Sequence, residues 1–301
     1  MTTSTGAGPA GSTAGGSRAP GRLPTVDHVV AVGSGKGGVG KSTVAVNLAL
    51  ALREEGTTVG LLDADIYGPS GLALLGMEDA PERVEMTDDR RVVPLEAHGI
   101  PVVSFGFFLG EESPAVWRGP LVAKAVDQLS RGVVWPELEI LVVDLPPGTG
   151  DVPLSLTGAV RVDGGIVVTT PQSLAVTEAR KCAEMFGSLD VPTMGVVENL
   201  SHATCECGRV SHPFGREGGE RLAEAIGVEL LARLPFDSEV REGEERGVPA
   251  AVDAPHSEAG RAFLSMARAV TGRLAEWSGA EKDQASRRRL PMSGAGGPAR
   301  E

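Results

Sequence analysis

Aromatic side chains are scarce in this chain, 4% of the sequence with a single tyrosine among them. Cysteine is scarcer still: three in 301 residues, Cys182, Cys205 and Cys207. An odd count without a secretory apolar segment argues against a disulfide framework and for a reducing compartment, so a cytoplasmic location is expected. Positive charge is in deficit, with 28 basic against 40 acidic residues and a formal net charge of −12. That balance excludes a broad electrostatic footprint on nucleic acid or anionic lipid, and any phosphate site must be local. No apolar run reaches the roughly 18 residues that suggest a membrane span, so neither nucleic acid nor a membrane is an expected partner.

What the chain has is apolar mass: 41% hydrophobic residues, enough to fill the core of one large α/β domain or two small ones. Residues 1–25 are dominated by Gly, Ala, Ser, Thr and Pro without apolar periodicity, and residues 279–301 have the same character. Both read as disordered, with Arg287-Arg288-Arg289 a solvated run. Within 26–278, β-branched runs at His28–Gly33, Thr58–Leu62, Val102–Phe105, Ile140–Asp144, Gly165–Thr169, Met194–Glu198 and Leu230–Leu234 alternate with helical patterns. The helices are expected at Ser42–Glu54, Leu121–Ser130, Ser173–Phe186, Glu217–Ile226 and Ser257–Trp277. Several of these strands are apolar on both faces, and their alternation with helices predicts a doubly wound, mostly parallel sheet with helices on both faces. No boundary interrupts 26–278, which reads as one domain.

The strand His28–Gly33 runs into Gly35-Lys36-Gly37-Gly38-Val39-Gly40-Lys41-Ser42-Thr43, which satisfies G-x-x-x-x-G-K-[ST] and then opens a helix. Glycines let backbone N–H groups converge on phosphate oxygens, Lys41 brings charge to the β/γ-phosphates, and Ser42 offers its hydroxyl to Mg²⁺. ATP and Mg²⁺ are the expected cofactors of such a loop. Asp63 and Asp65 follow the second strand at i and i+2, so in extended chain both face the phosphate zone; the alternative is a cluster that caps the following turn. Asp144 closes an apolar strand at the sheet edge, the Walker B arrangement that holds Mg²⁺ directly or through water. Pro146-Pro147-Gly148-Thr149-Gly150 reads as a loop that moves with nucleotide state, and Asp151 either shares that role or caps the next helix. Asn199 ends a strand at the same edge.

Lys36-Gly37-Gly38-Val39-Gly40-Lys41 resembles the deviant Walker A loop of the MinD/ParA/nitrogenase-iron-protein superfamily, within the SIMIBI class of P-loop NTPases. The resemblance implies a nucleotide-sandwich homodimer in which Lys36 stabilises charge on the partner's nucleotide. It also implies that Asp65 positions the attacking water or touches Mg²⁺ with Asp63 in support, and that Asn199 pairs with the base; a turn-forming role for Asn199 is the alternative. Further motifs are Asp63-Ala64-Asp65-Ile66-Tyr67-Gly68-Pro69-Ser70, Trp117-Arg118-Gly119-Pro120, Asp144-Leu145-Pro146-Pro147-Gly148-Thr149-Gly150-Asp151, Thr170-Pro171-Gln172 and Glu198-Asn199-Leu200-Ser201. With Leu234-Pro235-Phe236-Asp237 and Arg246-Gly247-Val248-Pro249, they resemble the Mrp/ApbC-type iron–sulfur cluster carriers over most of 26–255.

That family implies a slow, Mg-dependent ATP hydrolase that binds a [4Fe–4S] cluster at a homodimer interface and passes it to apo iron–sulfur proteins. Its pattern places Cys-x-x-Cys where this chain has Cys205-Glu206-Cys207, one residue shorter. Two thiolates from each of two subunits make the four ligands of a bridging cluster. Two other readings stand beside cluster ligation: a Zn²⁺ site within one chain from His202, Cys205, Cys207 and His212, and a pair that holds no metal. Cys182 reads as core. The rival functions are a ParA/MinD-like positioning ATPase, which needs a basic face or a membrane-binding helix, and a regulatory ATPase without a cluster.

Overall fold

In the computed structural model, residues 21–108, 129, 132–205 and 207–289 are described. The strands are β1 (Val26–Ser34), β2 (Val59–Asp63), β3 (Leu95–Ala97), β4 (Ile100–Ser104), β5 (Leu138–Asp144), β6 (Gly164–Thr169), β7 (Thr193–Glu198), β8 (Ala203–Thr204), β9 (Val210–Ser211) and β10 (Glu229–Arg233). The helices are α1 (Lys41–Glu54), α2 (Gly71–Leu74), α3 (Asp151–Ala159), α4 (Ser173–Ser188), α5 (Gly218–Ile226), α6 (Ser238–Glu245), α7 (Ala250–Asp253) and α8 (Glu258–Arg289). Eight strands form one sheet in the order β10-β7-β6-β1-β5-β2-β4-β3, parallel throughout except for β3, which pairs antiparallel with β4 at the edge.

The core is the sheet's middle. Val30, Val32, Val142, Val167 and Val168 are inaccessible, as strands covered on both faces require. Helix α1 packs across the central strands and against α8, while α4 and α5 pack on β6 and β7. The register sets the site: Val32 of β1 and Asp63 of β2 both lie opposite Asp144 of β5. The phosphate loop and both acidic strand ends therefore emerge together at the carboxyl edge, where open α/β sheets bind ligands. On the far side of β1, Gly33 leaves room for α4: a Cβ there would lie 2.8 Å from Cys182 Sγ. Burial pushes the Cys182 thiol up to about 12, so it is inert core.

The seven expected strands are all present, with ends shifted by one or two residues. The expected helix Leu121–Ser130 lies outside the described residues except for Leu129, as does Trp117–Pro120. Two expectations of disorder are corrected. Leu23 is buried and Gly21 bridges to Val160, so the segment before β1 is docked from residue 21. At the other end, α8 continues past Gly279 to Arg289. Ala280, Lys282, Gln284 and Ala285 are good helix formers, and propagating a helix already anchored by Phe263, Met266 and Val270 costs little.

Candidate nucleotide site and cysteine hairpin

Gly38 and Gly40 have φ of 76° and 83°, the left-handed region that only glycine occupies at little cost. Helix α1 begins without a side-chain cap, leaving its first N–H groups to point into the loop's concavity, an anion-binding arrangement. The loop is tied to its neighbour: Gly148 N–H donates to Ser34 O (2.8 Å) and Leu145 N–H to Val32 O (3.0 Å).

Lys41, Asp144, Asp65 and Ser42 meet at the start of α1. The buried Lys41 ammonium lies 2.6 Å from Asp144 Oδ1, 3.4 Å from Asp65 Oδ2 and 3.2 Å from Ser42 Oγ. Burial pushes the Asp144 carboxyl up, and the Lys41 charge pulls it back. Asp144 Oδ2 is buried with no hydrogen-bond partner among the described residues. The Asp144 carboxylate beside the Ser42 hydroxyl is a hard-oxygen set that fits Mg²⁺.

Asp63 points elsewhere. Its Oδ1 accepts from Asp65 N–H (3.1 Å), and its Oδ2 accepts from Gly71 N–H (3.1 Å) and Ser104 Oγ (3.0 Å). The expectation that both aspartates face the phosphate zone fails because β2 ends at Asp63, so the i, i+2 relation of extended chain no longer applies to Asp65. Asp63 instead braces the loop that carries Asp65. Burial, reinforced by the nearby Asp144 charge, pushes its carboxyl up to about 7.

Asn199, at the end of β7, turns its amide onto the phosphate loop and donates from Nδ2 to Val39 O at 2.9 Å. The Lys36 side chain is half-buried and has no partner among the described residues. Glu244 of α6 was not singled out by sequence reasoning. Its Oε1 is buried with no hydrogen-bond partner among the described residues, and burial raises its carboxyl while a hydrogen bond from the Thr43 hydroxyl lowers it. Its only signal in the sequence was position, a short way beyond Leu234-Pro235-Phe236-Asp237 at the ligand edge.

The cysteines sit on the hairpin β8–β9, where Ala203 pairs with Ser211 and Thr204 with Val210. Both are exposed, and their sulfurs are joined in a disulfide with a Cα–Cα distance of 5.3 Å. One bridge between residues two apart is local and does not amount to a disulfide framework. Cys205 N–H donates to Arg209 O and Gly208 N–H to Cys205 O, a tight turn that brings the two Cα atoms within bridging range. The single-chain zinc reading finds no support. His202 is engaged at both ring nitrogens, with Ser201 Oγ (2.6 Å) and Glu258 Oε1 (2.7 Å), and His212 Nδ1 meets Ser201 O (3.1 Å). Among the described residues no group of three or more His, Cys, Asp or Glu is placed to hold a metal. Among them, too, no helix is long and apolar enough to cross a membrane.

Residues 25–271 match the family profile described as NUBPL iron-transfer P-loop NTPase. A Pseudomonas fragi protein named iron-sulfur cluster carrier protein is 50% identical over 236 residues, 78% of this chain and 82% of its own length. One of the same name from Haemophilus influenzae is 46% identical over 255 residues, 84% of this chain and 68% of the relative. Among solved structures, a nucleotide-binding protein from Archaeoglobus fulgidus in complex with ADP superposes with a TM-score of 0.66 at 35% identity, over 75% of this chain and 88% of that one.

Proposed function

Because the chain belongs to the NUBPL iron-transfer P-loop NTPase family, we propose that it is a slow ATP-hydrolysing carrier that takes up an iron–sulfur cluster and delivers it to apo iron–sulfur proteins. The observation that supports this most directly is the joining of two sites in one chain: a phosphate loop with the buried Lys41 at its end, and an exposed cysteine pair rooted on the residue that touches that loop, Asn199.

In this reading the glycine loop and the first turn of α1 bind the nucleotide phosphates, and Lys41, held now by Asp144 and Asp65, turns its charge to the β/γ-phosphates. Ser42 Oγ and Asp144 Oδ2 would hold Mg²⁺, which when bound neutralises phosphate charge. Asp65, braced by Asp63, orients the attacking water. Lys36, whose side chain has no partner among the described residues, reaches the nucleotide of a second subunit in a homodimer, the place an arginine finger fills elsewhere. Asn199, whose amide rests on Val39 O, is the residue assigned to the base.

The cargo is held by Cys205 and Cys207 from two subunits as a [4Fe–4S] cluster. Since the pair is closed as a disulfide, loading requires its reduction by a thiol or other two-electron donor: two electrons and two protons open the S–S bond, and iron then displaces the protons. A positioning ATPase is the weaker reading, because the relatives at 46–50% identity are named cluster carriers and the net charge of −12 supplies no broad basic surface.

Anaerobic reconstitution of the reduced chain with iron and sulfide, followed by visible absorption and transfer to an apo-acceptor, tests the proposal. A cluster band that depends on Cys205 and Cys207 is expected. Transfer that survives replacement of both cysteines would overturn it, and a chain that binds ATP but forms no band would be a regulatory ATPase.

A further inference from the structure

The cysteine hairpin is fastened to the nucleotide site at its root. Glu198, the last residue of β7, is buried and accepts from Gly219 N–H at 2.5 Å, in the first turn of α5, where the chain returns from the hairpin. The next residue, Asn199, is also buried; its N–H donates to Thr169 O at 2.8 Å, and its side-chain amide donates to Val39 O. The fit is close: a Cβ on Gly40 would lie 2.1 Å from Asn199 Nδ2. Leu200 then takes a φ of 55°, unusual for a branched side chain and sustained only where its surroundings enforce it. Ser201 N–H donates to Leu234 O at 2.9 Å, and Ser201 O receives His212 from the returning side of the hairpin. Both ends of the excursion that carries Cys205 and Cys207 thus converge on Glu198 and Asn199.

Val39 and Gly40 form the peptide whose carbonyl Asn199 grips, and the following N–H groups are those offered to phosphate. A phosphate bound on those N–H groups would fix that peptide. Fixing it removes freedom from Asn199, and so from Leu200, Ser201 and the hairpin. We infer that Asn199 is a positioning residue that couples nucleotide occupancy of the phosphate loop to the reactivity of the cysteine hairpin. The inference rests on the nucleotide reading above and deepens it. Coupling of this kind needs no large displacement: nucleotide has only to bind the ordered hairpin root more tightly than the frayed one. It does not depend on the hairpin holding a cluster.

The test uses the reduced full-length chain and follows alkylation of Cys205 and Cys207 by iodoacetamide, with and without saturating Mg·ADP. ADP is chosen because it lacks the γ-phosphate that subunit pairing would sense, and light scattering checks that ADP leaves the mass unchanged. Cys182 is buried and serves as the unreactive internal reference. Wild type should react about fivefold more slowly with ADP, the low end of intersite coupling. In Asn199→Ala, at an ADP concentration re-established as saturating with a fluorescent analogue, the ratio should fall to about one. A merely structural Asn199 would change both rates and leave their ratio intact, so an unchanged ratio in the variant overturns the inference, as does a wild-type ratio of one. Should Asn199→Ala not fold, amide exchange at Ala203, Thr204, Val210 and Ser211 in wild type decides: slower with ADP supports the coupling, unchanged overturns it. Failure of the cargo reading looks different, namely a chain that shows the ADP effect and forms no cluster. Failure to bind ADP overturns both.

Discussion

Lys41 is buried between Asp144 and Asp65, whereas Cys205 and Cys207 are exposed on a hairpin whose strands are two residues each. The two regions meet at Asn199 yet are built for opposite ends. Stabilising charge on a transferring phosphoryl group needs fixed dipoles and cations in a site with little water, where they reorganise least. Thiols that must accept a cluster and give it up to another protein have to stay accessible. A preformed cradle with a glycine loop in the left-handed region, and a light hairpin held by a few hydrogen bonds, answer these two demands in one sheet.

The largest expected effect falls on the cradle. Lys41→Ala removes the cation that two buried carboxylates share, and phosphate release at saturating ATP should drop at least about 100-fold. It should also destabilise the fold by roughly 3–5 kcal/mol in urea unfolding, because uncompensated buried charge remains. Hydrolysis within about tenfold of wild type would break the claim that the cradle is organised around Lys41. Next comes the hairpin. Cys205→Ser combined with Cys207→Ser should reduce cluster content after reconstitution to background. Phosphate release should stay within about twofold, since exposed substitutions away from a buried network shift stability by only about 0.5 kcal/mol. A parallel fall in hydrolysis would show that the regions do not separate.

The same contrast explains what could be read from residues alone. The phosphate loop was legible because backbone freedom and charge both dictate specific residue types, and the central strands β1, β2, β5, β6 and β7 because they are mostly apolar on both faces. Strands β3, β8 and β9 were not, being two or three residues long, too short for any period to emerge. Helix α6, Ser-Glu-Val-Arg-Glu-Gly-Glu-Glu, has no apolar stripe, so Glu244 passed unnoticed. The roles of Asp63 and of the cysteine pair depend on where the chain turns, at the end of β2 and between β8 and β9, and spacing along a sequence does not encode a turn of that kind.

A smaller effect sharpens the dryness of the cradle. The folded Asp63 carboxyl titrates near 7 against about 3.8 in open chain, so the folded state holds this proton more tightly. Its contribution to stability is complete below about pH 4 and lost as pH rises towards 7. Between pH 5 and 8, wild type should lose about 1–3 kcal/mol relative to Asp63→Asn, measured by urea unfolding across that range. Equal slopes for the two chains would mean that Asp63 is wetter than its contacts imply.

The smallest effect concerns Glu244, on the rim between the two regimes. Its carboxyl is raised by burial, and its Oε1 has no hydrogen-bond partner among the described residues, so above its folded pKa the charge is carried at a cost. Glu244→Gln removes that charge with little change in shape, and at pH 8 should raise stability by about 0.5–1 kcal/mol. If the oxygen is left open to meet a ligand, the same change should weaken ADP binding by about threefold to tenfold, a gain in stability against a loss in function. Both are measured on one sample, by urea unfolding and by titration with a fluorescent ADP analogue. Stability that rises with ADP affinity unchanged would place Glu244 in packing alone, and the functional boundary of the cradle would then end at Thr43.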